Sequence, residues 1–326
     1  MRIARNGFRH EISAHFPPSD WQRNKGVRQI IDLFSADELI SLAIKTADPC
    51  LIGRLGGTEA RFMSAFIKQF PEYFSEKYFY KSWRSKTSLE KRKREAQLNS
   101  GFFYDNNLEA EKFVQKYIDA LKDTDVLGGW GLAFTWPESF ALKNSKLTVI
   151  NKEFTAPWVE KYAYSFEAPT NPWSQSLDKK KVLVISPFSK TILKQHKIIK
   201  QVFPTVYYPD FTIQTINAPL TSGTYDFSNN SWFELLRSME LEIEARDFDI
   251  ALISCGSYSY PLAQYAKKIG KIGIHCGGAL QLFFGIMGNR WNGSAEITKY
   301  VNNYWTRPTK SETPRGASLI ENACYW

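Results

Sequence analysis

Cysteine and histidine are scarce in this 326-residue chain, with four of each. Cys50, Cys255, Cys276 and Cys324 are scattered, without a Cys-x-x-Cys pair and without a histidine at zinc-finger spacing. Neither a structural zinc site nor the dense disulfide framework of a small secreted domain is expected from such a pattern. The default compartment is therefore a reducing one.

Long apolar runs are also missing from the sequence. No stretch approaches the roughly 20 apolar residues of a membrane-spanning helix. The first 13 residues include Arg2, Arg5 and Arg9 and have no signal-peptide core. Hydrophobic residues nevertheless make up 43% of the chain and aromatic residues 15%, which excludes a disordered or collagen-like protein. We expect a folded, soluble, cytoplasmic protein.

The chain has an excess of basic residues, since it contains 42 Lys and Arg residues but only 33 Asp and Glu residues, which gives a net charge of +9. A basic balance favours anionic partners such as phosphates, nucleotides, nucleic acid or an anionic membrane surface. Many of the cations lie between Lys81 and Arg94. This stretch fits a solvated helix face, and equally a contact with anionic lipid at the inner membrane or with a lipid-linked diphosphate. No RRM, KH or helix-turn-helix pattern accompanies it, so a nucleic-acid partner is not expected.

Short apolar segments alternate with amphipathic helical segments along most of the chain. This alternation predicts an α/β, Rossmann-like fold with a mostly parallel sheet and helices on both faces. We divide the chain into an N-terminal arm (1–34), an N-terminal α/β half (35–170) and a C-terminal Rossmann-like half (171–326), with one continuous domain as the alternative. Strands are predicted at 50–53, 126–130, 147–150, 182–185, 205–208, 250–254 and 271–275, and a long loop at 210–230.

Four predicted strands end in small or polar residues, and ligands of open α/β sheets bind at such strand ends. The first turn runs from Arg54 through Gly56 and Gly57 to Glu59. Its glycines and the following helix start suit an anion, and Arg54 can bind a phosphate with two hydrogen bonds. Glu59 can act as a base, a sugar anchor or a metal ligand. The same residues also fit a structural turn in which Glu59 pairs with Arg54 and favours the helix dipole.

The other three turns are candidates for the remaining parts of a nucleotide ligand. A serine at the start of a helix can bind a diphosphate or can simply cap the helix. Cys255 is a possible nucleophile, but we do not favour covalent catalysis because none of the four histidines lies in a recognisable catalytic motif. His275 fits a partly buried histidine at a strand end. The candidates are Ser186, Ser189 and Lys190 in the second turn, Gly256, Ser257 and Tyr258 in the third, and Gly277, Gly278 and Gln281 in the fourth, followed by Asn289, Arg290 and Trp291.

Two motifs together resemble bacterial polysaccharide-biosynthesis glycosyltransferases related to the GT-D type. One is Arg54-x-Gly56-x-x-Glu59, and the other is the late block Tyr260–Ala263, Gly270-Lys271, Gly277–Gln281, Phe284–Ile286 and Arg290-Trp291. The resemblance implies a nucleotide-sugar donor, UDP-linked, and a glycan acceptor on a lipid or an oligosaccharide. GT-D enzymes carry an Asp-x-Glu pair that binds a metal, whereas this chain has Gly57, Thr58 and Glu59 at those positions. No metal site is therefore predicted. If Mn²⁺ or Mg²⁺ takes part in the reaction, Glu59 is the candidate ligand.

The leading hypothesis is a glycosyltransferase of capsule or O-antigen biosynthesis. Glu59 is its catalytic candidate, the residues of the four turns bind the donor, and Asn289, Arg290 and Trp291 contact the acceptor or serve the structure. One alternative is a pyruvyl- or phosphotransferase acting on the same glycans, and another is a non-catalytic nucleic-acid-binding protein.

Overall fold

The structure is a computed structural model that describes residues 29–31, 33–74, 88–128, 147–149, 172–205, 207–227 and 229–326. Predictions for residues 1–28, for the basic residues from Lys81 to Lys86 and for most of the segment 129–171 lie outside the described residues.

One eight-stranded sheet organises the described chain, with strand order β1-β4-β3-β2-β8-β7-β5-β6. Every neighbouring pair is parallel, which confirms the predicted α/β, Rossmann-like class. The strands are β1 (Gln29–Ile31), β2 (Cys50–Arg54), β3 (Val126–Gly128), β4 (Leu147–Val149), β5 (Lys181–Ser186), β6 (Thr212–Asn217), β7 (Ile250–Ile253) and β8 (Ile272–His275).

Helices cover both faces of the sheet. Successive residues of β5 show this, since Leu183 packs into one apolar core and Val184 into another on the opposite face. A parallel sheet buried on both sides explains why its central strands are nearly continuous apolar runs. The described helices of seven or more residues are α1 (Leu33–Thr46), α2 (Gly57–Gln69), α3 (Leu89–Glu95), α4 (Asn107–Lys122), α5 (Ser189–Lys197), α6 (Trp232–Glu244) and α7 (Ser259–Lys268).

The two predicted halves share this sheet. β2 from the N-terminal half lies beside β8 from the C-terminal half, with Cys50 opposite Ile272. The predicted arm also reaches the sheet, because β1 pairs in parallel with β4 and α1 begins at Leu33. In the described residues the sheet therefore runs through the boundary predicted at 170.

One strand prediction was wrong. No strand lies at the described positions of 205–208, and β6 occupies Thr212–Asn217, inside the predicted long loop. Pro204 and Pro209 flank the predicted segment, and proline cannot donate to a sheet ladder. β6 is an edge strand whose residues are mostly exposed or half-buried. Its polar composition lacks the apolar run by which the other strands were predicted.

Candidate functional site

A cleft of about 410 Å³ lies where β2, β5, β7 and β8 end. Because all four strands are parallel, their carboxyl ends open on the same edge of the sheet. Each of the four following turns contributes to the lining: Arg54 and Gly56 to Glu59, Pro187 and Phe188, Ser254 to Gly256, and Gly277 and Gly278. The strand-end turns singled out in the sequence thus lie together around one cleft.

Arg54, the last residue of β2, is held against the turn that follows β8. A Cβ atom on Gly277 would lie 2.6 Å from Arg54 Cζ and 2.7 Å from Nε, so the guanidinium packs on the glycine backbone. Gly277 has φ +65°, a conformation that glycine adopts without the steric cost of a side chain. Glycine at this position therefore allows the Arg54 guanidinium to lie here.

Helix α2 begins in the same cleft with glycine as its N-cap. Gly56 has no side chain to cap the helix, and the carboxyl group of Glu59 lies over this end, where it accepts a hydrogen bond from its own backbone amide. A 13-residue helix carries partial positive charge at this end. Arg54 and Arg61 add two cations to the same part of the lining. This wall of the cleft is therefore suited to an anion.

Glu59 lies in the first turn of α2 and is only 6% exposed. Its carboxyl group packs over Gly56, where an added Cβ would be 2.8 Å from Glu59 Cδ. Burial raises the pKa of Glu59, although its own backbone amide, the Ser100 hydroxyl and the cations of Arg61 and Arg54 oppose the shift. A carboxyl group with a raised pKa is suited to acid–base chemistry near neutral pH.

The turn after β5 contributes less to the cleft than the sequence suggested. Of its residues, Pro187 and Phe188 line the cleft, whereas Ser186, Ser189 and Lys190 do not. Ser186 Oγ accepts a hydrogen bond from the Phe188 amide at 3.1 Å, and Ser189 Oγ donates to Asn217 Oδ1 at 2.9 Å. Both serines therefore stabilise the local structure.

A carboxylate from a distant segment occupies the N-terminus of α5. The Thr191 amide donates to Glu312 Oε1 at 3.0 Å, and the Thr191 hydroxyl donates to Glu312 Oε2. These hydrogen bonds lower the pKa of Glu312 against the effect of its burial. The start of α5, which the sequence analysis proposed as a diphosphate site, therefore already binds a carboxylate of the protein itself.

Only Gly256 of the three candidates after β7 lines the cleft. Ser257 and Tyr258 are buried against Trp232: Ser257 Oγ accepts from Trp232 Nε1 at 2.9 Å, and the Tyr258 ring stacks on the indole at 4.9 Å. Burial raises the pKa of Cys255 to about 12, so its thiol stays protonated.

The turn after β8 supplies Gly277, Gly278 and Gln281 to the cleft, and Arg290 joins them from further along the chain. Arg290 pairs with Glu321 at 2.5 Å. Asn289 and Trp291 lie outside the lining, and Trp291 is buried in the core.

His275, the last residue of β8, also lines the cleft. Burial, together with the Arg54 charge, lowers the pKa of this histidine to about 3.

Sequence reasoning missed the last residues of the chain as part of the site. Ile320, Glu321, Tyr325 and Trp326 line the cleft, and Trp326 Nε1 donates to the Glu312 carbonyl at 2.8 Å. No helical or strand periodicity marks this segment, so nothing local pointed to it. Asn99 and Ser100 were also missed, although the glycine that follows them, Gly101, was a visible sign of a chain reversal.

The residues around Glu59 do not fit a divalent metal ion. Among the described residues, no group of three His, Cys, Asp or Glu side chains is placed to hold one. Gly57 and Thr58 offer no second carboxylate, and the cations of Arg54 and Arg61 act on Glu59. Mg²⁺ and Mn²⁺ prefer clusters of carboxylate and other oxygen ligands, which this wall lacks among the described residues.

Within the part of the chain that the structure describes, none of the helices has both the length and the apolar character needed to cross a membrane. No protein-family model matches the chain, and no match was found among curated proteins or solved structures. Function therefore rests on the chemistry of the cleft.

Proposed function

We propose that the protein is a glycosyltransferase that binds a nucleotide-sugar donor, UDP-linked, in this cleft. It transfers the sugar to a lipid-linked or oligosaccharide acceptor in capsule or O-antigen biosynthesis. The observation that carries the proposal is the pairing of an anion-binding wall, formed by Arg54 and the start of α2, with the buried carboxyl group of Glu59.

The diphosphate of the donor binds at the start of α2 in this proposal. The Arg54 guanidinium can donate two parallel hydrogen bonds to phosphate oxygens, and the backbone amides at the start of α2 point towards an anion at the helix end. Arg61 adds a second cation from the same helix. Sugar transfer releases a nucleoside diphosphate, and fixed positive groups stabilise the charge that develops on it in the transition state.

Glu59 acts as the general base for the acceptor hydroxyl. The hydroxyl oxygen attacks the anomeric carbon while its proton passes to the Glu59 carboxylate, and the bond from that carbon to the diphosphate oxygen breaks. Because burial raises the pKa of Glu59, the ionised carboxylate is a stronger base than an exposed glutamate. No metal is needed for this step.

The acceptor approaches along the basic helix α3. Lys91 and Arg94 are exposed on this helix, which continues directly into Ala96–Ser100, and Asn99 and Ser100 line the cleft. A cationic helix beside the cleft would attract a lipid-linked diphosphate and the anionic surface that carries it. We therefore propose that the enzyme works at the cytoplasmic face of the inner membrane.

Nucleotide binding tests this proposal directly. Thermal unfolding is measured with UDP, GDP, CMP and dTDP, each with and without Mn²⁺ or Mg²⁺. A nucleotide at about 100 times its Kd stabilises the fold by about 2.7 kcal/mol. We expect this rise for UDP, with or without metal, and its loss in Arg54→Ala.

The matched control is Arg246→Ala, because Arg246 pairs with Glu242 on the surface at 2.9 Å and lies outside the cleft lining. This variant should keep the UDP response. No response to any nucleotide in the unmodified protein, or an equal loss in both variants, would contradict the proposal.

A further inference from the structure

Gln281 has a fixed side-chain orientation on the wall of the cleft. The residue is 3% exposed, and its Nε2 donates to the carbonyls of Ile286 and Tyr325, each at 3.2 Å. Both amide hydrogens are therefore used. Exchanging the amide oxygen and nitrogen would set Oε1 against two carbonyl oxygens, so the orientation is determined by the hydrogen bonds.

The Oε1 atom of Gln281 is buried and has no hydrogen-bond partner among the residues that the structure describes. Leaving a buried acceptor unpaired destabilises the folded state, and such atoms in native proteins call for an explanation. Since the residue lines the cleft, a ligand can supply the missing donor. Phosphate oxygens at neutral pH are mainly acceptors, so the donor must be an O–H or N–H group.

His275 places a second buried polar atom in the lining of the cleft. Its Nδ1 also lacks a partner within the described part of the chain, and the imidazole is neutral because burial lowers its pKa to about 3. The end of β8 therefore adds uncharged polar atoms beside Arg54, whose charge acts on His275.

An aromatic side chain borders the same region. Tyr325 packs on Gly278, where an added Cβ would lie 2.9 Å from the Tyr325 Cζ atom, and its carbonyl is one of the two acceptors of Gln281. Trp326 lines the cleft next to it. Aromatic surface with a few oriented, uncharged hydrogen-bonding groups is suited to a polar ring.

We propose that Gln281 Oε1 accepts a hydrogen bond from a hydroxyl group of a sugar ring in the bound ligand. His275 lies beside this ring, and the diphosphate attached to it binds Arg54. This inference rests on the proposed function and names the part of the donor that the end of β8 recognises. Two rings of a nucleotide sugar carry such hydroxyls, the ribose and the transferred sugar.

The test compares ligands that differ by one hydroxyl. Isothermal titration gives Kd for UDP against 2′-deoxy-UDP and 3′-deoxy-UDP, which tests the ribose. UDP-glucose against its monodeoxyglucose analogues tests the transferred sugar. In the unmodified protein, one omission should weaken binding about tenfold, the scale of one hydrogen bond to a buried acceptor. In Gln281→Met, the same omission should change Kd by less than about twofold, because the acceptor is gone.

Gln195→Met is the matched control. Gln195 is also buried, and its Nε2 also donates to two carbonyls, those of Tyr304 at 2.9 Å and Gly285 at 3.4 Å, but it lies outside the cleft lining. This variant should keep the discrimination between the two ligands. If Gln281 has only a structural role, Gln281→Met should weaken the binding of all ligands equally and leave the ratio of their Kd values unchanged.

The outcomes separate the two proposals. If UDP binds and every monodeoxy analogue binds the unmodified protein within about twofold of its parent, the inference is overturned whether or not Gln281→Met folds. The same holds if the discrimination persists in Gln281→Met. If neither UDP nor UDP-glucose binds the unmodified protein, the proposed function fails, and the inference fails with it.

Discussion

The guanidinium of Arg54 packs against the backbone of Gly277 so closely that no side chain fits between them. A Cβ on Gly277 would come within 2.6 Å of Arg54 Cζ. The turn after β2 and the turn after β8 are thus in contact through a glycine. This contact positions the cation that we propose binds the donor diphosphate.

Substitution of Gly277 by alanine should weaken UDP binding by about tenfold or more, because Arg54 must move and loses a charge-assisted pair of hydrogen bonds. Gly270→Ala is the matched control. Gly270 also has a left-handed φ, +81°, but an added Cβ meets nothing within 4 Å. Both variants should lose about 1–2 kcal/mol of stability through backbone strain. Denaturation and titration calorimetry measure the two effects, and equal UDP affinity in both variants would contradict this role of Gly277.

Replacement of Arg54 by lysine should also weaken UDP binding, by about tenfold, because a lysine ammonium cannot reproduce the planar pair of hydrogen bonds. The charge stays the same, so the loss reports geometry. Arg246→Lys, on the surface beside Glu242, should leave the affinity unchanged. Unaltered UDP affinity in Arg54→Lys would mean that Arg54 supports the turn and does not bind the diphosphate.

Glu59→Gln should preserve the fold and the UDP affinity while turnover falls by a factor of about 10² to 10⁴, the usual effect of losing a general base. Glutamine keeps the shape of the side chain but cannot accept the acceptor proton. Release of UDP in the presence of a glycan acceptor measures turnover, and circular dichroism measures the folded fraction. Activity that falls only in proportion to the folded fraction would assign Glu59 to structure.

His275 should make the protein sensitive to acid. An unfolded histidine takes up a proton below about pH 6.5, whereas burial lowers the pKa of folded His275 to about 3. The unfolded state therefore binds more protons between these values, and the free energy of unfolding falls as the pH drops, by up to about 1.4 kcal/mol per pH unit. Urea denaturation between about pH 7.5 and about pH 4 should show a smaller slope in His275→Gln. Equal slopes would mean that His275 takes up its proton in the folded state.

Charge reversal on helix α3 should affect the acceptor side alone. Lys91→Glu combined with Arg94→Glu should reduce binding to vesicles containing anionic lipid at low salt, because both side chains are exposed. UDP affinity should stay the same. A loss of UDP binding would instead place this helix in the donor site or in the support of the fold.

Local pattern was sufficient for the central strands and for the glycine turn at Gly56. Strands β5 and β7 are buried on both faces, so their apolar runs are visible without knowledge of their neighbours. The edge strand β6 was not predictable in this way. Its residues lie between the solvent and the neighbouring strand, so many of them are polar. A polar stretch of this kind is equally typical of a loop.

For the four strands that end at the cleft, the sequence by itself determined where the strand ends and a turn begins, because glycine, serine and apolar runs act on the few residues around them. Only the tertiary structure decided which of these helix ends faces a ligand. The start of α5 carries the serine and lysine that suggested a phosphate, yet Glu312, 121 residues beyond Thr191, binds its amide. The start of α2 has only the local carboxyl group of Glu59 against its own amide, and this helix end opens into the cleft. A side chain distant in sequence can bind the amides at a helix end in place of a ligand. Whether it reaches them depends on how the whole chain packs.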